Sequence, residues 1–172
     1  MNDLTRPAAL VGADPGTTPD GLVAIRSSGE DRGAWADGAA AQIAEATHVI
    51  AVGGDAPGAL TLAASHPERL VSLVLVDPAV DVDDPEHAAT MRRITVPTLV
   101  IASAPTPDAP VDEPQSIAGG VDNGVFVIID GVSAPTLVNR PASVLEWSSA
   151  FMAIAEGLAE TRTDLVTVRD ES

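Results

Sequence analysis

The chain has 172 residues, with nine basic residues (all Arg) against 25 acidic ones, which gives a formal net charge of −16 at pH 7. A field of this sign repels phosphate backbones and anionic membranes, so it argues against nucleic-acid binding and favours docking to a more basic partner. The absence of cysteine excludes disulfides, thiolate catalysis and zinc sites built on cysteine.

The composition fits one domain with a sizeable core. Hydrophobic residues make up 45% of the chain and aromatic residues only 2%, so the core must be packed from Ala, Val, Leu and Ile. Such a core suits parallel strands that are buried on both faces. The first residues lack the apolar stretch of a signal peptide, and no apolar run approaches the about 18 residues of a membrane span. We therefore expect a soluble, cytoplasmic protein.

Short apolar runs alternate with helical patterns through the first half of the chain. The runs predict strands, and the helical spacing and small residues between them predict helices. In chain order the predicted elements are the strands Ala8–Val11 and Leu22–Ile25, the helix Ala34–Ala46, the strand Val49–Val52, the helix Pro57–Ser65 and the strand Leu70–Val76.

The second half begins with a short, strongly polar connection, Val80–Arg93, which carries four acidic residues. The apolar segments Ile94–Ala102 and Gly124–Asp130 predict two further strands, and Pro141–Glu160 predicts a closing helix. The tail Thr161–Ser172 is polar and acidic. Residues at helical intervals predict the apolar face of the closing helix: Val144, Trp147, Phe151, Ile154 and Leu158.

The stretch Thr47–Pro78 contains a strand, a Gly-rich turn, a helix and a second strand, which predicts a βαβ unit. The turn residues Gly53-Gly54-Asp55-Ala56-Pro57 resemble the nucleophile elbow of the α/β-hydrolase family, whose pattern is Gly-x-Ser-x-Gly. The runs His66–Leu70 and Leu73–Ala79 resemble the helix end and the next strand of that family.

This resemblance implies a single α/β-hydrolase-like domain over residues 1–160, followed by an acidic tail, 161–172. The sheet would have about six mostly parallel strands with helices on both faces. The connection after the second strand of the βαβ unit is too short for the cap domain that hydrolases commonly insert there. We therefore expect a capless, degenerate member of the family.

The resemblance places Asp55 at the nucleophile position and Ala134 at the histidine position. Without Ser and His, ordinary serine-hydrolase chemistry is excluded. The catalytic candidates are Asp55, Asp77 at a second acid position of the family, and His87 on the connection that replaces the cap. His87 has an alternative interpretation as an exposed loop residue. His48 and His66 fall at ends remote from the expected site, where we interpret them as structural.

Four residues are candidates for an oxyanion-like site or pocket: Gly12, Ala13, Gly54 and Ala56. Asp55 has an alternative role as the N-cap of the following helix, since Asp before Ala-Pro is a common helix start. Asp14 and Asp77 would lie near the same edge of the sheet. The carboxylates could share a proton or recruit a divalent cation, but we expect neither a resident metal nor a cofactor.

Several functions fit this pattern. The first is a subunit of a biosynthetic enzyme complex that contributes to a non-hydrolytic epimerisation, dehydration or cyclisation, on a small molecule or peptide in natural-product or modified-peptide maturation. The alternatives are a stand-alone hydrolase or acid–base enzyme that uses Asp55, and an inert pseudoenzyme that binds a partner. We expect a partner that is more basic or membrane-associated and that covers the pocket rim and Val80–Arg93, with Leu165–Val168 as a further candidate contact.

Overall fold

The computed structural model describes residues 3–12, 17–27, 29 and 31–168. Within these residues six strands form one sheet in the order β2-β1-β3-β4-β5-β6, and all neighbours are parallel. The strands are β1 (Ala8–Val11), β2 (Val23–Ile25), β3 (Thr47–Val52), β4 (Leu70–Val76), β5 (Thr98–Ala104) and β6 (Gly124–Asp130). The predicted sheet of about six parallel strands is confirmed.

The central strands β3 and β4 are buried on both faces, which is why their sequences are continuous apolar runs. Alternate residues point to opposite faces. Val49 and Leu73 belong to the core on one side of the sheet, whereas Ile50 and Val74 belong to the core on the other side.

Helices cover both faces, as predicted. The first core packs against α1 (Arg32–Ala40), α2 (Ala56–Ser65), α3 (Pro85–Arg92) and α4 (Asp112–Gly119). The second packs against α5 (Thr136–Asn139) and α6 (Pro141–Ala159). None of the helices in the described ranges is long and apolar enough to cross a lipid bilayer.

The order of the strands creates a crevice at one edge of the sheet. The chain runs outward from β1 to β2 and then returns to the other side of β1 to form β3. The loops after β1 and β3 therefore leave in opposite directions, which is the switch point where ligands bind in open α/β sheets. Gly12 and the turn Gly53–Asp55 lie at this point.

The connection between β4 and β5 contains the helix α3, which was not predicted from the sequence. The Asp84 side chain accepts a hydrogen bond of 2.8 Å from the backbone N–H of Glu86, and Pro85 occupies the first helical turn. This cap and the burial of Met91 in the core stabilise a helix whose sequence is otherwise weakly apolar. No cap domain is inserted between these strands.

The predicted apolar face of α6 is wrong for most of its residues. Only Val144 is buried, and Phe151 is half-buried against the core. Trp147, Ile154 and Leu158 are 49%, 66% and 54% exposed. The buried face instead carries Val144, Ser148, Met152, Ala155 and Ala159. These mostly small residues let the helix lie closer to the sheet than a row of large side chains would.

Residues 161–168 lie against the domain at the amino ends of β3 and β4. The Arg162 guanidinium donates to the carbonyl oxygens of Leu70 and Pro67, each at 2.8 Å. Val166 accepts from the backbone N–H of Ala46 and donates to the carbonyl of Glu68. Part of the segment that we expected to face a partner is therefore held by the chain itself.

Candidate functional site

The turn between β3 and α2 has its apex at Gly53. The strand ends at Val52, and Gly53 adopts a left-handed conformation with φ of 55°. Its carbonyl accepts a 3.0 Å hydrogen bond from the backbone N–H of Ala79, which fixes the turn to the end of β4. A Cβ at Gly53 would meet no atom within 4 Å, so a side chain here would project into open space.

Asp55, which the resemblance places at the nucleophile position, is not the left-handed residue of this turn. The strained residue of a strand-to-helix elbow is the one that presents the nucleophile. Here that residue is Gly53, whereas Asp55 has φ of −83° and ψ of −10° and already belongs to the helical turn. The apex therefore carries no side chain. In the sequence, Gly53 could have been recognised as the apex by its position directly after the unbroken apolar run of β3.

The Asp55 side chain does not cap α2, which corrects the alternative interpretation. It makes no capping hydrogen bond, because a residue with helical φ and ψ cannot direct its side chain to the N–H groups ahead of it. The carboxylate instead lies over Gly12, where a Cβ would clash with both oxygens. Gly12 has φ of 85°, so a glycine is required there for two reasons.

The carboxylate of Asp55 also contacts α1. Burial raises the pKa of Asp55 above its ordinary value, and a hydrogen bond from the Trp35 side chain offsets part of that rise. The indole lies so close to α2 that a Cβ on Gly58 would overlap it. The acid is therefore held between Gly12 and Trp35, across the switch point of the sheet.

The other pocket candidates that the structure describes lie in different surroundings and do not form one site. Gly54 is exposed and lines a cavity of about 370 Å³ between the amino ends of α1 and α2. Ala56 is fully buried in the core. Ala13 and Asp14 lie outside the described residues. The cavity is lined by Gly29, Asp31, Arg32, Trp35, Gly54, Pro57 and Gly58.

Asp77 follows β4 and holds three segments together. One carboxylate oxygen accepts from the backbone N–H of Ser103 at 3.2 Å and from the Thr136 hydroxyl at 2.8 Å. The other accepts from the backbone N–H of Thr136 at 2.6 Å. In a catalytic triad the acid orients a histidine. Here the buried residue Thr136 donates to Asp77, where a histidine would do so in a triad. Ala134, which the resemblance places at the histidine position, is exposed and lies two residues earlier.

His87 lies on α3 and is only 9% exposed, so it is not an exposed loop residue. Its Nδ1 donates to the carbonyl oxygen of Asp81 at 2.7 Å. No hydrogen bond or ion pair recorded among the described residues joins His87 to Asp55 or Asp77. The three catalytic candidates therefore have separate hydrogen-bond partners among the described residues.

A metal centre finds no support in the part of the chain that the structure describes. No group of three or more His, Asp or Glu side chains there is arranged to hold an ion. Asp55 is directed to Gly12 and Trp35, and Asp77 is directed to Ser103 and Thr136.

The densest polar network lies at the opposite end of the sheet. His48 is fully buried, and its Nε2 and Nδ1 lie 3.2 Å from Glu156 Oε1 and 2.8 Å from Ser72 Oγ. Because a carboxylate only accepts, Nε2–H donates to Glu156 and the Ser72 hydroxyl donates to Nδ1. Glu156 also accepts from the backbone N–H groups of Thr5 and Arg6, each at 2.8 Å.

Burial shifts both titratable groups of this network. It lowers the pKa of His48, and the hydrogen bond and charge of Glu156 offset only part of that change. Burial alone would raise the pKa of Glu156, but the hydrogen bonds from Thr5, Arg6 and His48 lower it overall. The interpretation of His48 as a structural residue is consistent with this arrangement.

Several solved structures with the same architecture are described as hydrolases. A bacterial membrane phospholipase A described as a virulence factor superposes with a TM-score of 0.67 at 17% identity, covering 88% of this chain and 80% of its own. A CIB-like hydrolase from Thermoplasma acidophilum gives 0.66 at 14% identity, covering 88% of both chains. The serine hydrolase CarC of carbazole degradation gives 0.66 at 13% identity, covering 87% and 91%.

These identities are low enough that the likeness concerns the fold alone. No protein-family model matches the sequence, and no protein of curated function is significantly similar to it. The sheet order, the helices on both faces and the superpositions agree with one another. The chain has the α/β-hydrolase fold, in a short form without a cap domain.

Proposed function

We propose that this chain is a non-hydrolytic, catalytically inert α/β-hydrolase-fold protein that serves as a subunit of a protein complex. The observation that carries this proposal is Gly53 at the apex of the elbow. A glycine has no group that could attack a substrate, and covalent hydrolase chemistry begins with such an attack.

Two further positions support inertness. The carboxylate of Asp77 is occupied by Ser103 and Thr136, so it orients no base. The carboxylate of Asp55 lies against Gly12, on the loop that supplies an oxyanion-hole donor in hydrolases. A negative charge at this place opposes an oxyanion instead of stabilising it.

In this proposal the chain contributes a folded surface, and a partner contributes the chemistry. A partner with basic character suits a chain of net charge −16. A place in the non-hydrolytic maturation of a natural product or modified peptide remains the prediction drawn from the resemblance. Epimerisation, dehydration and cyclisation are the reaction classes that it names.

One observation favours a second candidate function, which is acid–base chemistry by Asp55. Burial raises the pKa of Asp55 above its ordinary value, which is the direction that suits a general acid. Trp35 and Gly54 beside it line the cavity of about 370 Å³, which is open to a small molecule.

The substitution Asp55→Asn separates these two candidates. The variant is expressed in a strain from which the chain has been deleted. If the chain is an inert subunit, Asp55→Asn corrects the deletion phenotype and restores wild-type behaviour as fully as the wild-type chain does. Loss of restoration, with thermal stability retained, would contradict inertness and support acid–base chemistry. Asp122→Asn is the matched control, because Asp122 is exposed and the substitution removes the same charge.

A further inference from the structure

The outer face of α6 exposes large apolar side chains to solvent. Trp147, Ile154 and Leu158 are 49%, 66% and 54% exposed, and they flank the face of the same helix that is buried in the core. The chain has only two Trp and two Phe, and α6 carries one of each. A surface that exposes this much apolar area along one helix is typical of an interaction site.

Between Trp147 and Leu158 the large apolar residues of this face are not interrupted by a charged side chain of α6 that points outward. Glu146 and Glu160 are exposed at the two limits of the stripe. The acidic residue between them, Glu156, is turned inward to His48, Thr5 and Arg6. An apolar row of about three helical turns therefore lies between two acidic ends, with Arg6 and Glu156 bordering its small residues Ala153 and Gly157 on one side.

The order of large and small residues on this face fits a second helix. Large side chains at 147, 154 and 158 alternate with exposed Ala150, Ala153 and Gly157. Positions 147, 150, 154 and 157 follow the spacing of a coiled-coil seam, in which the side chains of one helix enter spaces on the other. The small residues provide those spaces and permit close approach of the two helix axes.

We propose that this face docks an amphipathic helix of a partner protein, with an apolar seam flanked by Lys or Arg. The basic flanks complement Glu146, Glu160 and the net charge of −16. This inference rests on the proposed function, because it names the surface through which the subunit binds.

A second copy of the chain fits this face poorly. In an antiparallel pair of α6 helices centred on Ala153, Glu146 of each copy lies opposite Glu160 of the other. In a parallel pair, Glu146 lies opposite Glu146. Either arrangement brings like charges together on chains that already carry −16 each. The charge pattern therefore selects a different, basic partner.

The test measures binding of a synthetic helical peptide of about three heptads, with Leu at the a and d positions and Lys at e and g. Calorimetry compares the wild-type chain with the double variant Ile154→Ser, Leu158→Ser, which keeps the net charge unchanged. Val23→Ser is the matched control, since Val23 is 56% exposed on β2 at the edge of the sheet far from α6. A second peptide with Glu at e and g tests the charge requirement.

We expect the stripe variant to bind the basic peptide at least about tenfold more weakly, because two buried apolar contacts are lost. Val23→Ser should bind like the wild type, and binding to the acidic peptide should be absent. Equal affinity of the stripe variant would overturn the proposal, since the peptide would then recognise charge alone. The proposal would also be overturned if the wild type sedimented as a dimer and the stripe variant as a monomer. That result would favour a second copy of the chain as the occupant of this face.

Preferential binding of the stripe to neutral lipid vesicles over the peptide would likewise overturn the proposal. A failure in the peptide test is distinguishable from a failure of the proposed function. The function fails if Asp55→Asn abolishes restoration in cells or if a serine of the chain reacts as a nucleophile, and neither result depends on α6.

Discussion

The two ends of the sheet differ in how their polar groups are used. At the carboxyl ends of the strands, where hydrolases place their chemistry, the apex is Gly53 and the nearby acids Asp55 and Asp77 face separate partners. At the amino ends, His48 and Glu156 join β3, β4, α6 and the first residues of the chain in one network.

The comparison teaches that the polar groups of this molecule hold the fold together more clearly than they assemble a reaction centre. Glu156 satisfies the backbone N–H groups of Thr5 and Arg6, and Arg162 satisfies the carbonyls of Leu70 and Pro67. Even Asp77, at the end where catalysis is expected, acts as a connector. Substitutions at the two ends should therefore have different consequences.

The largest effect is expected at the amino end. Glu156→Ala removes the acceptor of two backbone N–H groups and of His48, on a side chain that is 15% exposed. Hydrogen bonds to charged groups contribute about 1.5–3 kcal/mol each, so we expect the free energy of unfolding to fall by about 3 kcal/mol. Urea unfolding measures it. Glu160→Ala, at an exposed position on the same helix, is the control and should change stability little.

Asp77→Asn should have a smaller effect. Asn tolerates the left-handed φ of 45° at this position and keeps one acceptor oxygen, but it loses at least one of the bonds to Thr136. We expect a loss of about 1–2 kcal/mol in the free energy of unfolding. Asp130→Asn, at the exposed end of β6, is the matched control. An unchanged unfolding midpoint for Asp77→Asn would contradict the connector role.

The network at the amino end should also make stability depend on pH. The pKa of folded His48 lies below its ordinary value of 6.5, so as the pH falls below 6.5 the unfolded chain takes up a proton that the folded chain refuses. Stability is therefore lost on acidification. Glu156 adds to this loss at lower pH, because its folded pKa is also lowered.

We expect His48→Gln to flatten the loss of stability between neutral pH and about pH 5. The measurement is urea unfolding of both proteins at several pH values. His66→Gln is the control, because the His66 side chain is 28% exposed and pairs with Asp37 on the surface. A wild-type profile that is flat over this range would exclude a buried, neutral His48.

The smallest effect is expected for the substitution of Asp55, at the carboxyl ends of the strands. The pKa of Asp55 is raised in the folded chain, so its contribution to stability is fully present below the ordinary value of 3.8 and is lost as the pH rises through the folded pKa. Asp55→Asn should therefore raise the melting temperature slightly at neutral pH and not at acidic pH. A clear decrease at neutral pH would show that the charged form is stabilised instead.

Much of this fold could be predicted from the sequence, because buried parallel strands leave an unmistakable pattern. The bounds of β1, β4 and β6 agree with the apolar runs from which they were predicted. The helix α3 was missed because its residues are mostly polar, although Asp84 and Pro85 gave a readable start signal. For α6 the sequence carries two apolar stripes, and only packing against the sheet decides which one is buried.

The site was less accessible to prediction. Glycines at 53, 54 and 58 allow more than one register for an elbow, and only the backbone conformation shows that the apex is Gly53. The contact of Asp55 with Gly12 and Trp35 depends on the sheet order. The pairing of His48 with Glu156 joins residues 108 positions apart, which no local pattern reveals.

Labelling of the purified wild-type chain with a fluorophosphonate probe, read by intact mass and peptide mapping, tests the proposed absence of a nucleophile most directly. A known serine hydrolase with the same fold serves as the positive control. Because the apex is Gly53, we expect no mass shift on this chain and no hydrolysis of p-nitrophenyl esters above background. Stoichiometric labelling of a serine near the switch point or the ends of β5 and β6, such as Ser103 or Ser133, would contradict this account.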